Sequence, residues 1–491
     1  MLFPRSPLAS LLVAALAATV IVTSPQIPAL AFDTGPHASI TIDSVMSAGL
    51  NRNAANVVQV ENWLTDYYTN KSVGEKKCDL EKLHFDDLFS AGDIQRYWTN
   101  FWNNTVQAVG KSDSDRDVLE FYVVLGVSLH AVQDFYSHSN WVDQNGVSVQ
   151  PGHYSTKTYF QTPNPKPAGL HTGWYDNCLD IPQDGHEPHG NYTSGLNHDS
   201  VVRPGYDQAY VYAYAASYEW TKNLLAYLSP GFRAEVMSYA PSSSDLNNLA
   251  YDQAASICIS EFIQTPSGAT DGHWNGNRSG QPGFFTECEA SWDTTLNSIF
   301  VNRFNDSQMY ATLSQNLYSP RASTSYTFTP YPIRGAVFEM RTLSAGRTDR
   351  PGGTSDPHHY AGELQFLHSS YRPQQGDAWS WYRDAGQPLG PVPWKQLIFL
   401  SEDEAGPGRL QLMYTLWDES GWAPSSFTRV PLKLGGTGLT LTFTCLLTAD
   451  WSAGPCIGPD IAGGPWTQAK PYATNGTGVL GLYFTSSPAD R

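Results

Sequence analysis

Beyond residue 31 the chain has no apolar run that approaches the roughly 18 to 20 uninterrupted residues a membrane-spanning helix needs. Basic residues are also few, since 29 Lys and Arg stand against 46 Asp and Glu, for a formal net charge of −17. A surface that neutralises phosphates needs clustered Lys and Arg, so we expect no stable nucleic-acid complex. A nuclease with a small active cleft stays compatible with this composition.

Charge is almost absent from the first 31 residues, in which Arg5 is the only charged side chain. An apolar run covers residues 11–22, and the segment ends in the small-x-small sequence Ala29-Leu30-Ala31. This pattern is typical of a cleavable signal peptide. We therefore expect a secreted, extracellular protein whose mature chain begins at Phe32.

Cysteine is scarce as well, with six in 491 residues. In an oxidising compartment cysteines favour disulfides over thiolate metal sites. The easiest pair to assign is Cys445 with Cys456, and the sequence leaves the connectivity open. The cysteines are Cys78, Cys178, Cys258, Cys288, Cys445 and Cys456.

The hydrophobic pattern changes partway along the chain. Helix-period stretches occur up to residue 317, at 54–68, 93–109, 115–137, 206–228 and 291–317. After a Ser- and Pro-containing linker, short strand-like runs follow at 336–343, 362–367, 396–400, 410–417, 427–434, 439–446 and 479–485. This change predicts a mainly α-helical domain at 32–317, a linker at 318–333 and an all-β sandwich domain at 334–491.

A possible metal-ligand stripe lies in the segment 129–141, which reads Leu-His-Ala-Val-Gln-Asp-Phe-Tyr-Ser-His-Ser-Asn-Trp. Steps of four residues place His130, Asp134 and His138 on nearly one face of a helix. The preceding residues are apolar almost all round, which predicts a buried helix. Ionisable groups there need an opposite charge, a hydrogen-bond network or a cation. Imidazole and carboxylate form the ligand set of zinc sites, and a satisfied polar network is the alternative.

Further candidate ligands lie in hydrophobic surroundings nearer the amino terminus. In chain order they are the free amine of Phe32, His37, Asp66, His84 and Asp86. Asp86 is better suited to orient a ligating imidazole than to bind metal directly, because such imidazoles need an acceptor for their second N–H. Asn140, two residues after His138, fits the same supporting role.

The order of these residues resembles that of the zinc-dependent phospholipases C and zinc single-strand nucleases. The resemblance rests on Phe-Asp-Thr-Gly-Pro-His at 32–37, Asn-Trp-Leu-Thr-Asp-Tyr at 62–67, Leu-His-Phe-Asp-Asp-Leu at 83–88 and the His130/Asp134 pair. The segment from His130 to Trp141 is more similar to the signature of secreted Het-C-like heterokaryon-incompatibility proteins and related von Willebrand A-containing proteins.

The resemblance implies a zinc-dependent phosphoric diester hydrolase that uses a metal-activated hydroxide. One zinc would be held by Asp66, His84, His130 and Asp134, and a second by Phe32, His37 and the bridging Asp134. Asp134 and Asp66 would thus serve catalysis through the metal. Two such ions can clamp the attacking oxygen and a phosphate oxygen together.

The chain departs from the family at the third zinc. His138 is the candidate that follows the HxxxD motif, but the later helix at 203–214 contains no histidine. The loop histidines His171, His186, His189 and His198 could substitute, although we expect irregularly spaced loop histidines to be solvated. The resemblance therefore predicts two zinc ions and leaves the third without its helical ligand.

The order of a helical and a β domain resembles that of secreted phospholipases C with a lipid-binding PLAT/C2-like module. This likeness implies a phospholipid or other phosphodiester substrate and a peripheral membrane contact through the β domain. Loops at 352–357 and 401–404 could offer oxygens to calcium, or they are ordinary polar turns.

Two hypotheses about function follow. The first is a secreted phospholipase C-like zinc hydrolase, with a zinc nuclease as a variant of the same chemistry. The second is a catalytically silent Het-C-like recognition protein that keeps a structural metal. The missing helical histidine favours the second hypothesis, whereas the segment from Phe32 to His37 favours the first, which we prefer.

Overall fold

The computed structural model describes residues 34–71, 74–144, 154–174, 186–190, 195–199, 203–242, 306–320 and 327–344. Strands between residues 357 and 490 are described as well.

Helices dominate the described part of the chain before residue 335. They are α1 (Thr34–Ser47), α2 (Arg52–Lys71), α3 (Gly74–Glu81), α4 (Ala91–Asp115), α5 (Val118–His138), α6 (Tyr206–Tyr227), α7 (Pro230–Ser238) and α8 (Asp306–Ser314). A 3-10 turn at Lys82–His84 follows α3, and the short strand β1 (Tyr154–Ser155) precedes α6. The predicted stretches 54–68, 93–109 and 206–228 correspond to α2, α4 and α6, and 115–137 to α5.

Helix α5 is the central element. Its first turn is capped by Asp117, whose side chain accepts a hydrogen bond from the backbone N–H of Glu120 at 3.0 Å. Among the described helices, α5 is the one long and apolar enough to cross a membrane, but 89% of its apolar window is buried inside the protein. Such burial is typical of a core helix, and α2 and α6 pack against α5.

Close contact between α2 and α5 depends on Gly126. A Cβ atom at Gly126 would lie 2.4 Å from the Cβ atom of Glu61 and 2.5 Å from the carbonyl oxygen of Val58. Real Cβ atoms do not approach other atoms this closely, so the missing side chain lets the two helices pack tightly. The same contact sets the distance between α2 and the polar residues one turn further along α5.

The turn after the 3-10 segment holds an unusual backbone conformation. Phe85 has φ of 60° although it is not glycine, and its ring is fully buried. The ring packs 4.0 Å from Tyr97, 4.5 Å from Trp98 and 5.0 Å from Phe135, between centroids. Aromatic packing thus fixes a strained turn directly after His84.

The strands after residue 334 form two sheets. Their order is β2 (Gly335–Ser344), β3 (Pro357–His368), β4 (Pro373–Asp384), β5 (Lys395–Ser401), β6 (Gly408–Ser420), β7 (Thr428–Pro431), β8 (Thr440–Leu447), β9 (Ala453–Ile457), β10 (Lys470–Ala473) and β11 (Val479–Asp490). One sheet has the order β1-β11-β2-β5, with β10 beside β11. The other has the order β4-β3-β6-β8-β9, with β7 beside β6. The packing of these sheets into a sandwich stays a prediction.

Two details bear on predictions made from the sequence, one on a disulfide and one on the linker. Cys445 and Cys456 are Cα partners on the antiparallel strands β8 and β9, which is compatible with the predicted disulfide. Phe328, inside the predicted linker, stacks on Phe160 at 4.1 Å between centroids. The linker and domain boundaries stay predictions. Of the proposed calcium loops at 352–357 and 401–404, all residues except Pro357 and Ser401 lie outside the described residues.

Candidate metal centre

Four ionisable side chains converge at the middle of the helical part, and we call them the first centre. His37 comes from α1, His84 from the 3-10 turn, and His130 and Asp134 from successive turns of α5. His37, His130 and Asp134 are fully buried, and His84 is 5% exposed. Helix periodicity therefore supplies two members, and the packing of α1 and of the Phe85 turn supplies the other two.

Asp134 lies at the centre of the cluster. Its Oδ1 atom is 3.0 Å from His37 Nε2, and its Oδ2 atom is 3.1 Å from both His84 Nδ1 and His130 Nε2. His84 Nδ1 and His130 Nε2 are also 3.1 Å apart. Neither Asp134 oxygen accepts a hydrogen bond of acceptable geometry within the described residues. The carboxylate is therefore close to three ring nitrogens without being aligned with an N–H.

The outer nitrogen of each imidazole faces a neutral oxygen. His37 Nδ1 is 2.5 Å from Gln133 Oε1, and the Gln133 amide nitrogen donates to the hydroxyls of Thr41 and Ser217 at 3.0 and 3.1 Å. Because the amide is oriented in this way, Gln133 Oε1 must accept, and Nδ1 of His37 carries the hydrogen. The inner Nε2 of a neutral His37 then presents a lone pair toward Asp134.

The same logic applies to the other two imidazoles. Asn62 donates through its amide nitrogen to Gln133 at 3.2 Å, so its Oδ1 accepts from His130 Nδ1 at 3.3 Å. Thr69 donates its hydroxyl hydrogen to a backbone carbonyl at 2.8 Å, so its oxygen accepts from His84 Nε2 at 3.0 Å. When these rings are neutral, both inner nitrogens present lone pairs toward Asp134.

Electrostatics favours a cation among these four groups. Burial lowers the pKa of His130 to about 3, so that imidazole is neutral at neutral pH. Burial raises the pKa of Asp134, but the imidazoles of His130 and His138 outweigh it and hold this pKa well below its usual range. A buried carboxylate needs a compensating positive charge, which a protonated His138 beside the cluster or a bound cation can supply. These buried His and Asp groups could hold a metal ion, and three imidazoles with one carboxylate suit zinc.

His138 and Asp86 lie beside this cluster rather than in it. His138 Nδ1 donates to the backbone carbonyl of His84 at 2.8 Å and lies 3.4 Å from Asp86 Oδ1. Burial lowers the pKa of His138, but the carboxylates of Asp86, Asp134 and Asp199 outweigh burial and raise it well above its usual value. Asp86, predicted to orient a ligand, therefore faces His138.

The other predicted site residues are placed as follows. Asp66 lies on α2, one helical turn after Asn62 and one before Thr69, and its side chain is outside the described residues, as is all of Phe32. Asn140 holds the 169–171 loop, since its Nδ2 donates to Gly169 O at 2.9 Å and its Oδ1 accepts from His171 N at 3.0 Å. Their metal-related roles stay predictions.

Two features were missed by sequence reasoning. The first is that the neutral residues Gln133, Asn62 and Thr69 orient the imidazoles. The sequence offered one sign of this role, a polar Gln133 between His130 and Asp134 on an otherwise apolar helix. The expectation that the loop histidines are solvated is wrong for His189 and His198, which are 2% and 5% exposed. Their burial depends on loop packing that spacing does not report.

The described fold and site thus define a mainly helical protein with buried His/Asp groups that could hold a metal ion. A family model described as the VWA7 N-terminal domain matches residues 53–156, less than half of the chain. This match includes the His130–Trp141 segment and agrees in part with the predicted likeness to von Willebrand A-containing proteins. The narrower resemblances to Het-C-like proteins and phospholipases C stay predictions.

Other comparisons add little. No curated protein matches the chain. A crystal structure of alpha-toxin from an avian strain, SWCP, of Clostridium perfringens is 11% identical and has a TM-score of 0.15, with 82% of this chain and 96% of the toxin chain covered. A TM-score this low supports no inference about fold or activity.

Proposed function

We propose that this chain is a secreted zinc-dependent phosphoric diester hydrolase of phospholipase C-like activity. The observation that carries the proposal is the first centre, where three imidazoles direct inner nitrogens toward one buried carboxylate. Imidazole nitrogens held in a single tautomer by outer acceptors are the arrangement found around catalytic and structural zinc. The hydrolytic activity itself is supported by the order of ligands in the sequence.

Each residue has a defined part in this proposal. His84, His130 and Asp134 with Asp66 would hold one zinc, and His37 with the Phe32 amine and Asp134 would hold a second. Zinc at these positions supplies a Lewis acid for a phosphoryl oxygen and acidifies water. Gln133, Asn62 and Thr69 would accept from the outer N–H groups and so orient the imidazoles with their inner nitrogens toward the reaction centre.

The substrate and location follow from the same hypothesis. A phospholipid or another phosphodiester is the proposed substrate. The β region would provide a peripheral membrane contact, with calcium as a further ligand there. Secretion is proposed because residues 1–31 have the pattern of a cleavable signal peptide.

The complete burial of three residues of the first centre favours a second candidate function. His37, His130 and Asp134 have no exposed surface in the structure, whereas a hydrolase must admit a phosphate group to its metal. A fully enclosed ion would instead act as a brace between α1, the 3-10 turn and α5, as expected for a catalytically silent recognition protein.

A phosphodiester assay on the zinc-loaded full-length protein separates these functions. The substrates are p-nitrophenylphosphorylcholine, phosphatidylcholine vesicles and single-stranded DNA. We expect hydrolysis of the first two and a loss of at least about 100-fold in Asp134→Asn, because a Lewis acid contributes several kcal/mol to stabilising the transition state.

His171→Ala is the matched control, since this loop imidazole contacts Asn140 and Gly169 rather than the first centre. Hydrolysis of DNA alone would replace the lipase by the nuclease variant. A zinc-loaded protein that hydrolyses none of the three substrates would contradict the enzyme and leave the recognition protein as the better account.

A further inference from the structure

We propose that Asp86, His138 and His189, together with Asp199, bind a further divalent cation of the zinc type at a second centre, separate from the first centre. This second centre goes beyond the proposed function, which depends on the first centre alone. The sequence offered His138 and several loop histidines as candidates for a third zinc without defining a ligand set, and the structure selects His189 and adds Asp86 and Asp199.

The four side chains come from three places in the chain. Asp86 follows the 3-10 turn, His138 is the last residue of α5, and His189 and Asp199 lie in the described loop segments 186–190 and 195–199. All four are at most 2% exposed. Charged and titratable groups so deeply buried require compensation.

Their donor atoms are close enough to share one ion. His138 Nε2 lies 2.9 Å from His189 Nε2 and 3.4 Å from Asp199 Oδ1. One donor atom each from Asp86, His138 and His189 lies within 4.8 Å of the other two. Two atoms that both bind zinc at about 2.0–2.1 Å are at most about 4 Å apart, so donor atoms up to 4.8 Å apart need only small shifts to share one ion.

Hydrogen bonds on the outer side again define the tautomers. His138 Nδ1 donates to the backbone carbonyl of His84 at 2.8 Å, and His189 Nδ1 faces the carbonyl of Gly190 at 3.3 Å. The two Nε2 atoms therefore face each other at 2.9 Å, close enough for one ion beside them to contact both. Asp86 Oδ1 is buried and accepts no hydrogen bond of acceptable geometry within the described residues.

Charge distinguishes a proton from a cation. The two carboxylates contribute two negative charges to the second centre, and a proton shared by His138 and His189 neutralises one of them. A divalent cation neutralises both, which is the state that a buried cluster favours. Two imidazoles with two carboxylates form a donor set that zinc accepts.

The loop that carries His189 is held firmly against its neighbours. A Cβ atom at Gly173 would lie 2.7 Å from the Cα atom of His189. A Cβ atom at Gly195, where φ is +79°, would lie 2.4 Å from the carbonyl oxygen of His189. His189 N also donates to Trp174 O at 2.8 Å. The backbone of His189 is therefore held in place by packing, and an ion bound to its imidazole would tie this loop to the end of α5.

Zinc content of the full-length protein tests the proposal. Wild-type protein and the variants His189→Ala and Asp86→Asn are dialysed against micromolar zinc, and bound zinc is measured by elemental analysis. We expect each variant to lose about one zinc per chain, because each lacks one anchoring donor. His171→Ala, on the same side of the fold but outside both centres, keeps the wild-type content.

Cobalt substitution assigns the lost ion. In the cobalt-loaded protein, His189→Ala should remove part of the visible absorption and His130→Ala a different part, so failure of one centre is distinguishable from failure of the other. Asp86→Asn preserves shape, and its circular dichroism spectrum verifies folding if His189→Ala does not fold. Wild-type zinc content in a folded Asp86→Asn or His189→Ala variant would overturn the proposal and leave a shared proton as the occupant.

Discussion

Neutral side chains decide what the imidazoles of the first centre can bind. Gln133 is held by Asn62, Thr41 and Ser217, and in turn fixes the tautomer of His37. A metal ligand that loses such an acceptor rotates or changes tautomer, and its affinity for the ion falls. The amide is thus a positioning residue rather than a ligand.

Replacing Gln133 with Ala should weaken zinc binding at the first centre about 10- to 100-fold, the range usual for lost outer partners of metal ligands. A competitive titration with a zinc-sensitive dye measures the affinity. Asn140→Ala serves as the comparison, since the sequence predicts a supporting role and the structure places its contacts on the 169–171 loop. A larger effect of Asn140→Ala than of Gln133→Ala would contradict this account of the site.

Residue chemistry was only partly predictable from the sequence. His130 and Asp134 follow from helical spacing, and the family resemblance suggested His37 and His84 as ligands. Gln133 was not predicted as a positioning residue because its partners Thr41 and Ser217 are 92 and 84 residues away. The burial of His189 likewise depends on a close backbone approach at Gly173 that no local pattern reveals.

At the scale of elements, the first centre depends on how closely α2 approaches α5. α2 provides Asn62 and Thr69, α5 provides His130 and Asp134, and Gly126 lies at the contact. Any displacement of α2 moves the acceptors away from the imidazoles. Stability and metal affinity should therefore change together when this contact is altered.

Gly126→Ala should destabilise the protein by about 1–3 kcal/mol or more, because overpacking a tight contact forces backbone shifts. Zinc affinity at the first centre should fall as well. Gly110→Ala on α4 is the matched control: its Cβ atom would meet nothing closer than 3.8 Å, so the change should be neutral or stabilising by roughly 0.5–1 kcal/mol. Urea unfolding of both variants measures the difference, and equal stability would refute the proposed close approach.

The long helices were predictable because their apolar residues repeat at helical spacing. The helix α1 was not predicted, since the residues around His37 were interpreted only as an amino-terminal ligand segment. The helices α3 and α7 are too short for a clear period. The predicted stretch 291–317 corresponds to α8 at Asp306–Ser314, and its residues before 306 lie outside the described part.

At the scale of the whole molecule, the change from helical to strand periodicity near residue 318 was visible in the sequence. The contacts of residues 327–333 with the helices were not visible in the sequence. Asn223 exchanges two hydrogen bonds with Thr329 at 2.9 Å each, and Tyr331 N donates to the buried Glu219 at 3.1 Å. Side-chain partners a hundred residues apart leave no local signal.

These contacts change the fragment that should be stable alone. The domain prediction ends the helical part at residue 317, but a fragment of residues 32–317 lacks Phe328, the Thr329 backbone that pairs with Asn223 and the Tyr331 N–H that donates to Glu219. We expect a fragment of residues 32–334 to melt roughly 10 °C higher, since it keeps one buried aromatic ring and several hydrogen bonds. Calorimetry on both fragments checks this, and equal melting temperatures would show that residues 327–334 contribute nothing.

The central claim is that the first centre binds zinc, and anomalous diffraction at the zinc absorption edge tests it most directly. Crystals of the zinc-loaded full-length protein should show a peak about 2.0–2.1 Å from the inner nitrogens of coordinating histidines among His37, His84 and His130, with Asp134 as a shared ligand. A well-ordered first centre with zinc present in the crystal but no anomalous peak among these side chains would contradict the account.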